Sequence, residues 1–183
     1  MEWNKTHKII SEDCKLRIDT IGRGVYKPEV YESMGRETVL TEMLSAERSG
    51  ICYIAPSGSG KTSLFCTLAE KWLEENIVFI TGLYFPLTEE SALFDYIYKY
   101  FNENYGIDLD KGIDETIAFL SENNKKCIIM IDGVDECVSI SKMRDALHYT
   151  IVRLARGPLK LVINCRTAIW NTIVNHTWLM TLQ

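Results

Sequence analysis

From residue 37 onward, short apolar runs alternate with longer segments whose apolar positions recur every three or four residues. Four runs, 51–54, 77–80, 127–131 and 159–164, have the length and branched aliphatic content of strands. The run 127–131 is apolar at every position, the pattern of a strand buried on both faces. Between them the spacing predicts helices over 37–48, 61–75, 91–101, 113–120 and 141–154. The first carries a stripe of Val39, Leu40, Met43 and Leu44, with Gly50 as its stop. The second turns Leu64, Leu68 and Trp72 inward and ends at Asn76, and the third lines up Leu93, Phe94, Ile97, Tyr98 and Phe101 as core. Strands alternating with helices imply an α/β fold around a parallel sheet.

Residues 1–33 read as an irregular N-terminal segment, with Gly22 and Gly24 around Arg23 and a Lys27-Pro28 step that disfavours helix. The remaining span, 34–183, reads as one domain, and 183 residues suffice for one core. A net charge of −5 supplies no general drive toward nucleic acid or anionic membrane. No apolar run approaches the ~20 residues of a membrane span, and the charged start lacks a leader's apolar core. The six cysteines contain no C-x-x-C pair; Cys52, Cys127 and Cys165 fall in strand runs, as core thiols of a reducing, cytoplasmic setting. His7, His148 and His176 are scattered and suggest no metal site.

The chemistry concentrates in Ala55-Pro56-Ser57-Gly58-Ser59-Gly60-Lys61-Thr62, followed by Ser63. Apart from Ala55 in place of the first glycine, it matches the phosphate-loop pattern G-x-x-x-x-G-K-[ST]. Backbone N–H groups of such a loop and of the helix start converge on polyphosphate. Lys61 would reach the β- and γ-phosphates, and the Thr62 hydroxyl would ligate Mg²⁺.

Asp132 ends the apolar run 127–131, at the sheet edge where a parallel α/β fold presents ligand-binding groups. It is the expected second Mg²⁺ residue, acting through water opposite Thr62. Asp135 and Glu136 follow a glycine bend, and either could orient or deprotonate water at a γ-phosphate. Arg166, at the end of the fourth run, either reports on that phosphate or pairs with the acidic loop.

Asp132-Gly133-Val134-Asp135-Glu136 resembles the extended acidic motif of the STAND class of P-loop ATPases, above all its NACHT branch. Met34-Gly35-Arg36-Glu37 resembles the segment that opens many STAND and related AAA+ modules. The resemblance covers roughly residues 30–170. It implies a P-loop NTPase three-layer sandwich of ASCE-type order, with the fourth strand between the loop strand and the Asp132 strand. It also implies an ATP-dependent molecular switch of innate immunity or antiviral defence, hydrolysing slowly and often oligomerising. Met34, Gly35 and Arg36 would lie near adenine, and Arg166 would be the sensor. The family's fifth strand, winged-helix region and C-terminal sensor domains are not seen before Gln183. The apolar tail (Ile169, Trp170, Ile173, Val174, Trp178, Leu179, Met180) would therefore pack on a partner, on another copy or back over its own sheet.

The absence of an Asn-Lys-x-Asp guanine-reading motif favours ATP over GTP. Three other readings remain: a small-molecule kinase, though 167–183 supply no lid arginine; a non-hydrolysing nucleotide module; and a nucleic-acid motor, which lacks a basic stretch.

Overall fold

The computed structural model describes residues 2–31, 35–45, 49–82, 87–136 and 139–173. Apolar alternation along the strands sets the layers. Cys127, Ile129 and Ile131 join one core cluster, and Ile128 and Met130 join another on the opposite face. The strands are β1 (Gly50–Ala55), β2 (Ile77–Gly82), β3 (Cys127–Asp132) and β4 (Leu159–Arg166). All pair in parallel, in the order β1-β4-β3-β2. The fourth strand therefore lies between the loop strand and the Asp132 strand, as the resemblance implies.

Helices α2 (Arg36–Ser45) and α3 (Lys61–Leu73) cover one face through Leu40, Leu44, Leu64, Leu68 and Trp72. Helices α4 (Ala92–Tyr105), α5 (Ile113–Glu122) and α6 (Ile140–Leu154) cover the other through Phe94, Phe101, Leu120 and Leu147. This is a three-layer α/β sandwich of P-loop type. A short α7 (Thr167–Ile173) follows β4, and its Ile169 and Trp170 pack back on the α4–α6 core. The rest of the expected tail, from Val174, lies outside the described residues.

Three expectations change. The segment expected to be irregular, 1–33, is described over 2–31, and there a 19-residue helix, α1 (Trp3–Ile21), is followed by a 3₁₀ turn at Pro28–Val30. Ile10 of α1 joins one core cluster, and Cys14 and Ile18 join the other. The helix thus lies along β2, covering a strand edge that would otherwise expose its backbone. Gly50 does not stop a helix but begins β1, because the chain from Ser49 already bonds to Leu161. Val39 is exposed rather than inward, so the buried seam of α2 runs through Glu37, Leu40 and Leu44 with Met43 beside it.

Candidate functional site

Register brings the ends of β1, β4 and β3 to one sheet edge. Ala55 lies opposite Arg166, and Asp132 opposite Gly82. The chain then leaves β1 through Pro56–Gly60 and enters α3 at Lys61. Gly60 has φ 77° and Gly58 φ 73°, a left-handed region costly for residues with a Cβ. These angles bend the loop so that the first-turn N–H groups of α3, which have no helical acceptors, open onto the cleft. Ala55 itself is buried at the end of β1, where a residue without a polar side chain fits. The Lys61 ammonium folds over the loop, donating to the carbonyls of Pro56 at 2.9 Å and Ala55 at 3.3 Å.

Across the cleft, Thr62 Oγ1 donates to Asp132 Oδ2 at 2.9 Å, linking positions 70 residues apart. Asn164 Nδ2 donates to the other carboxylate oxygen at 2.5 Å, and Asn164 Oδ1 accepts the Gly133 N–H at 2.7 Å. Burial raises the Asp132 carboxyl above its ordinary value, against the opposing pull of the Asn164 and Thr62 donors and of Lys61. A hydroxyl beside a carboxylate is a hard-oxygen donor set that suits Mg²⁺ completed by waters and phosphate. Among the described residues there is no group of three or more His, Cys, Asp or Glu that could hold a metal ion.

Asp135 and Glu136 occupy a 3₁₀ turn after Gly133 and have different surroundings. Asp135 is buried; its Oδ1 accepts the Arg166 N–H at 2.9 Å, and its Oδ2 accepts from Arg166 Nε. That contact raises the Arg166 guanidinium further above its ordinary value. Glu136 is exposed, with its carboxyl lying over Gly133 at the cleft. The structure thus gives Arg166 an acidic-loop partner and leaves Glu136 as the carboxylate facing solvent.

Arg36 reaches the outer side of the loop, donating to Ser59 O at 2.9 Å and Tyr53 Oη at 3.3 Å. Gly35 precedes it at φ 75°, and Met34 lies outside the described residues.

The cleft encloses about 420 Å³. It gathers Ser57, Gly58, Gly60, Lys61, Thr62, Ser63, Asp132, Asp135, Glu136 and Arg166 of the sequence-expected residues. Pro56 lines a neighbouring groove with Ile169, and Ala55, Ser59 and Arg36 support the loop from behind. Sequence reasoning missed Asn164 and Val25, both of which line the cleft. Asn164 carried a signal, a polar residue directly after the apolar run Leu161-Val162-Ile163. Val25 carried none, because its place depends on how α1 docks.

No family model matches the chain, and no curated protein matches it. Among solved structures, that of C. elegans PCH-2 aligns with 89% of this chain and 37% of its own length, at 20% identity and a TM-score of 0.33.

Proposed function

We propose that the chain is an ATP-binding P-loop switch domain of the STAND type, related to the NACHT branch and serving signalling or defence. The observation that carries nucleotide binding is the Thr62–Asp132 hydrogen bond at the mouth of a glycine-shaped loop that also presents Lys61. An ordinary surface turn has no reason to place a lysine, a helix N-terminus and a strand-end carboxylate around one cleft. Mg²⁺, when bound with nucleotide, would neutralise charge on the β- and γ-phosphates. Thr62 and Asp132 would hold it. Lys61 would exchange its loop carbonyls for phosphate oxygens, and the α3 amides would bind the remainder.

Hydrolysis is assigned to Glu136 in preference to Asp135, because Asp135 is engaged by Arg166 and Glu136 is open to water. Arg166 would then sense the γ-phosphate by dividing its donors between that phosphate and Asp135. The motif Asp132–Glu136 and the Gly35-Arg36-Glu37 segment support the STAND assignment. Mg²⁺-dependent titration with ATP and GTP, followed by phosphate release, tests the reading. Binding that prefers ATP, with slow release to water, is expected. Binding of neither nucleotide by folded protein overturns it. Fast transfer to an added small-molecule acceptor would instead identify a kinase.

A further inference from the structure

The phosphate cleft has an apolar wall that the nucleotide reading leaves unused. Val25 lines it, on the turn that follows α1, with 62% of its surface exposed. The turn is fixed to α3 at three points one helical turn apart. Ser63 Oγ donates to Val25 O at 3.1 Å, Thr67 Oγ1 to Tyr26 Oη at 3.3 Å, and Tyr26 Oη to Glu70 Oε2 at 2.6 Å. The N–H groups of Val25 and Tyr26 both bond to Gly22 O, at 2.9 and 2.8 Å. Gly22 permits this approach: a Cβ there would come within 2.7 Å of Tyr26 Cβ and 3.3 Å of Cys66 Sγ. A branched apolar side chain is therefore held, largely uncovered, beside Ser63 at one end of the cleft.

We propose that Val25 is the nucleoside contact of the site, covering the ribose and one face of the base. The proposal rests on the nucleotide reading above. The order of groups along the cleft sets the direction. Asp132, Asp135, Glu136 and Arg166 cluster on the sheet side, and the Thr62–Asp132 pair would hold Mg²⁺ with the terminal phosphates. The α-phosphate end then lies toward Ser63, and the nucleoside emerges against Val25. A second apolar surface, formed by Pro56, Ala168 and Ile169, lies beyond Arg166. A base placed there would turn the terminal phosphates away from the carboxylates.

The test compares Mg²⁺-ATP with Mg²⁺-tripolyphosphate, which lacks the nucleoside, on the full chain. Val25→Ser should weaken ATP binding about five-fold, from the apolar area left uncovered, and leave tripolyphosphate binding unchanged. Val25→Asn, which is polar but uncharged, should weaken ATP further, and Ile169→Ser should change neither. Unchanged ATP affinity in both Val25 variants, or an equal loss for both ligands, overturns this proposal while the nucleotide reading stands. An ATP-specific loss confined to Ile169→Ser also overturns it, by placing the base beyond Arg166. Failure of the parent chain to bind either ligand overturns both.

Discussion

Asn164 holds both sides of the turn that presents Asp132: its amide nitrogen donates to the carboxylate at 2.5 Å, and its amide oxygen accepts the Gly133 N–H at 2.7 Å. The side chain is fully buried, so neither bond can be replaced by solvent without rearrangement. Asn164→Ala leaves a buried N–H without its acceptor and should cost about 1–3 kcal/mol. Asn164→Asp keeps the acceptor but sets a second carboxyl against Asp132. Its deficit should be greater at neutral pH and shrink as the pair takes up a proton in acid. Urea unfolding of both variants at pH 7 and pH 4.5 checks the contrast.

The Asp132 carboxyl is raised in the folded chain, mainly by burial. The folded state therefore holds its proton to higher pH than the unfolded state does. Between the two values it binds more protons, so stability declines as pH rises from the ordinary aspartate range, about 3.9, through the folded value. Asp132→Asn removes that decline. The new amide oxygen can accept from Asn164, and the amide nitrogen can donate to Thr62 Oγ1. Ligand-free Asp132→Asn should match or exceed the parent in stability at pH 7, yet lose Mg²⁺-dependent ATP binding. A parent-like pH profile in the variant would contradict the assignment.

The sheet was legible because each strand is a compact apolar run, and the loop because its chemistry requires a fixed spacing of glycine, lysine and threonine. Helix α1 was not. Only Thr6, Ile10, Cys14 and Ile18 are buried on it, a narrow seam one residue wide. Its inward polar residues are satisfied by partners remote in sequence, such as Tyr100 and Tyr105 for Asp13. Periodicity counts such positions as solvent-facing. For the same reason Val25 was invisible, and Asp135 and Glu136 could not be told apart until Arg166 was seen to engage one of them.

Lys61→Ala removes an ammonium that bonds only to loop carbonyls among the described residues, so the fold should survive. Nucleotide binding should not. For the parent, Mg²⁺-ATP at about 100 times its dissociation constant should add roughly 2.7 kcal/mol. That amounts to a rise of about 5–10 °C in melting temperature. Differential scanning fluorimetry should show this rise in the parent and none in Lys61→Ala.

Glu136→Gln and Asp135→Asn should separate chemistry from scaffolding. Glu136 is exposed, so its amide variant should stay within about 0.5 kcal/mol of the parent. It should bind ATP normally and lose about 10²–10⁴-fold in turnover if Glu136 is the base. Asp135 accepts from both the backbone and the side chain of Arg166, and an asparagine can accept only one of these while opposing the other. Asp135→Asn should cost about 1–3 kcal/mol before any effect on turnover is considered. Parent-rate hydrolysis by Glu136→Gln would remove that residue from the mechanism.

The last prediction concerns the clasp that ties α1 to the sheet. Arg17 bonds to Asp13 at 2.8 Å, and its guanidinium lies 4.3 Å from the Phe79 ring centre and 4.0 Å from that of Tyr100. Asp13 also accepts from Tyr100 Oη at 2.7 Å and Tyr105 Oη at 2.5 Å. Burial pushes the Asp13 carboxyl up, but donors from Tyr105, Tyr100 and Arg17 outweigh it and hold it below the ordinary value. A depressed folded value means that the stabilisation is complete above the unfolded value, about 3.9, and is lost as pH falls through the folded one. Asp13→Ala should cost about 2–4 kcal/mol at pH 7, because it strips a largely buried guanidinium of its carboxylate partner. The deficit should narrow in acid, where the parent loses the same bonds. With α1 loosened, the β2 edge loses its cover, so hydrogen exchange should accelerate first in 77–82 and leave the inner strand β4 protected. Equal acceleration across all four strands would show that α1 is not a separable clasp and that the loss is global.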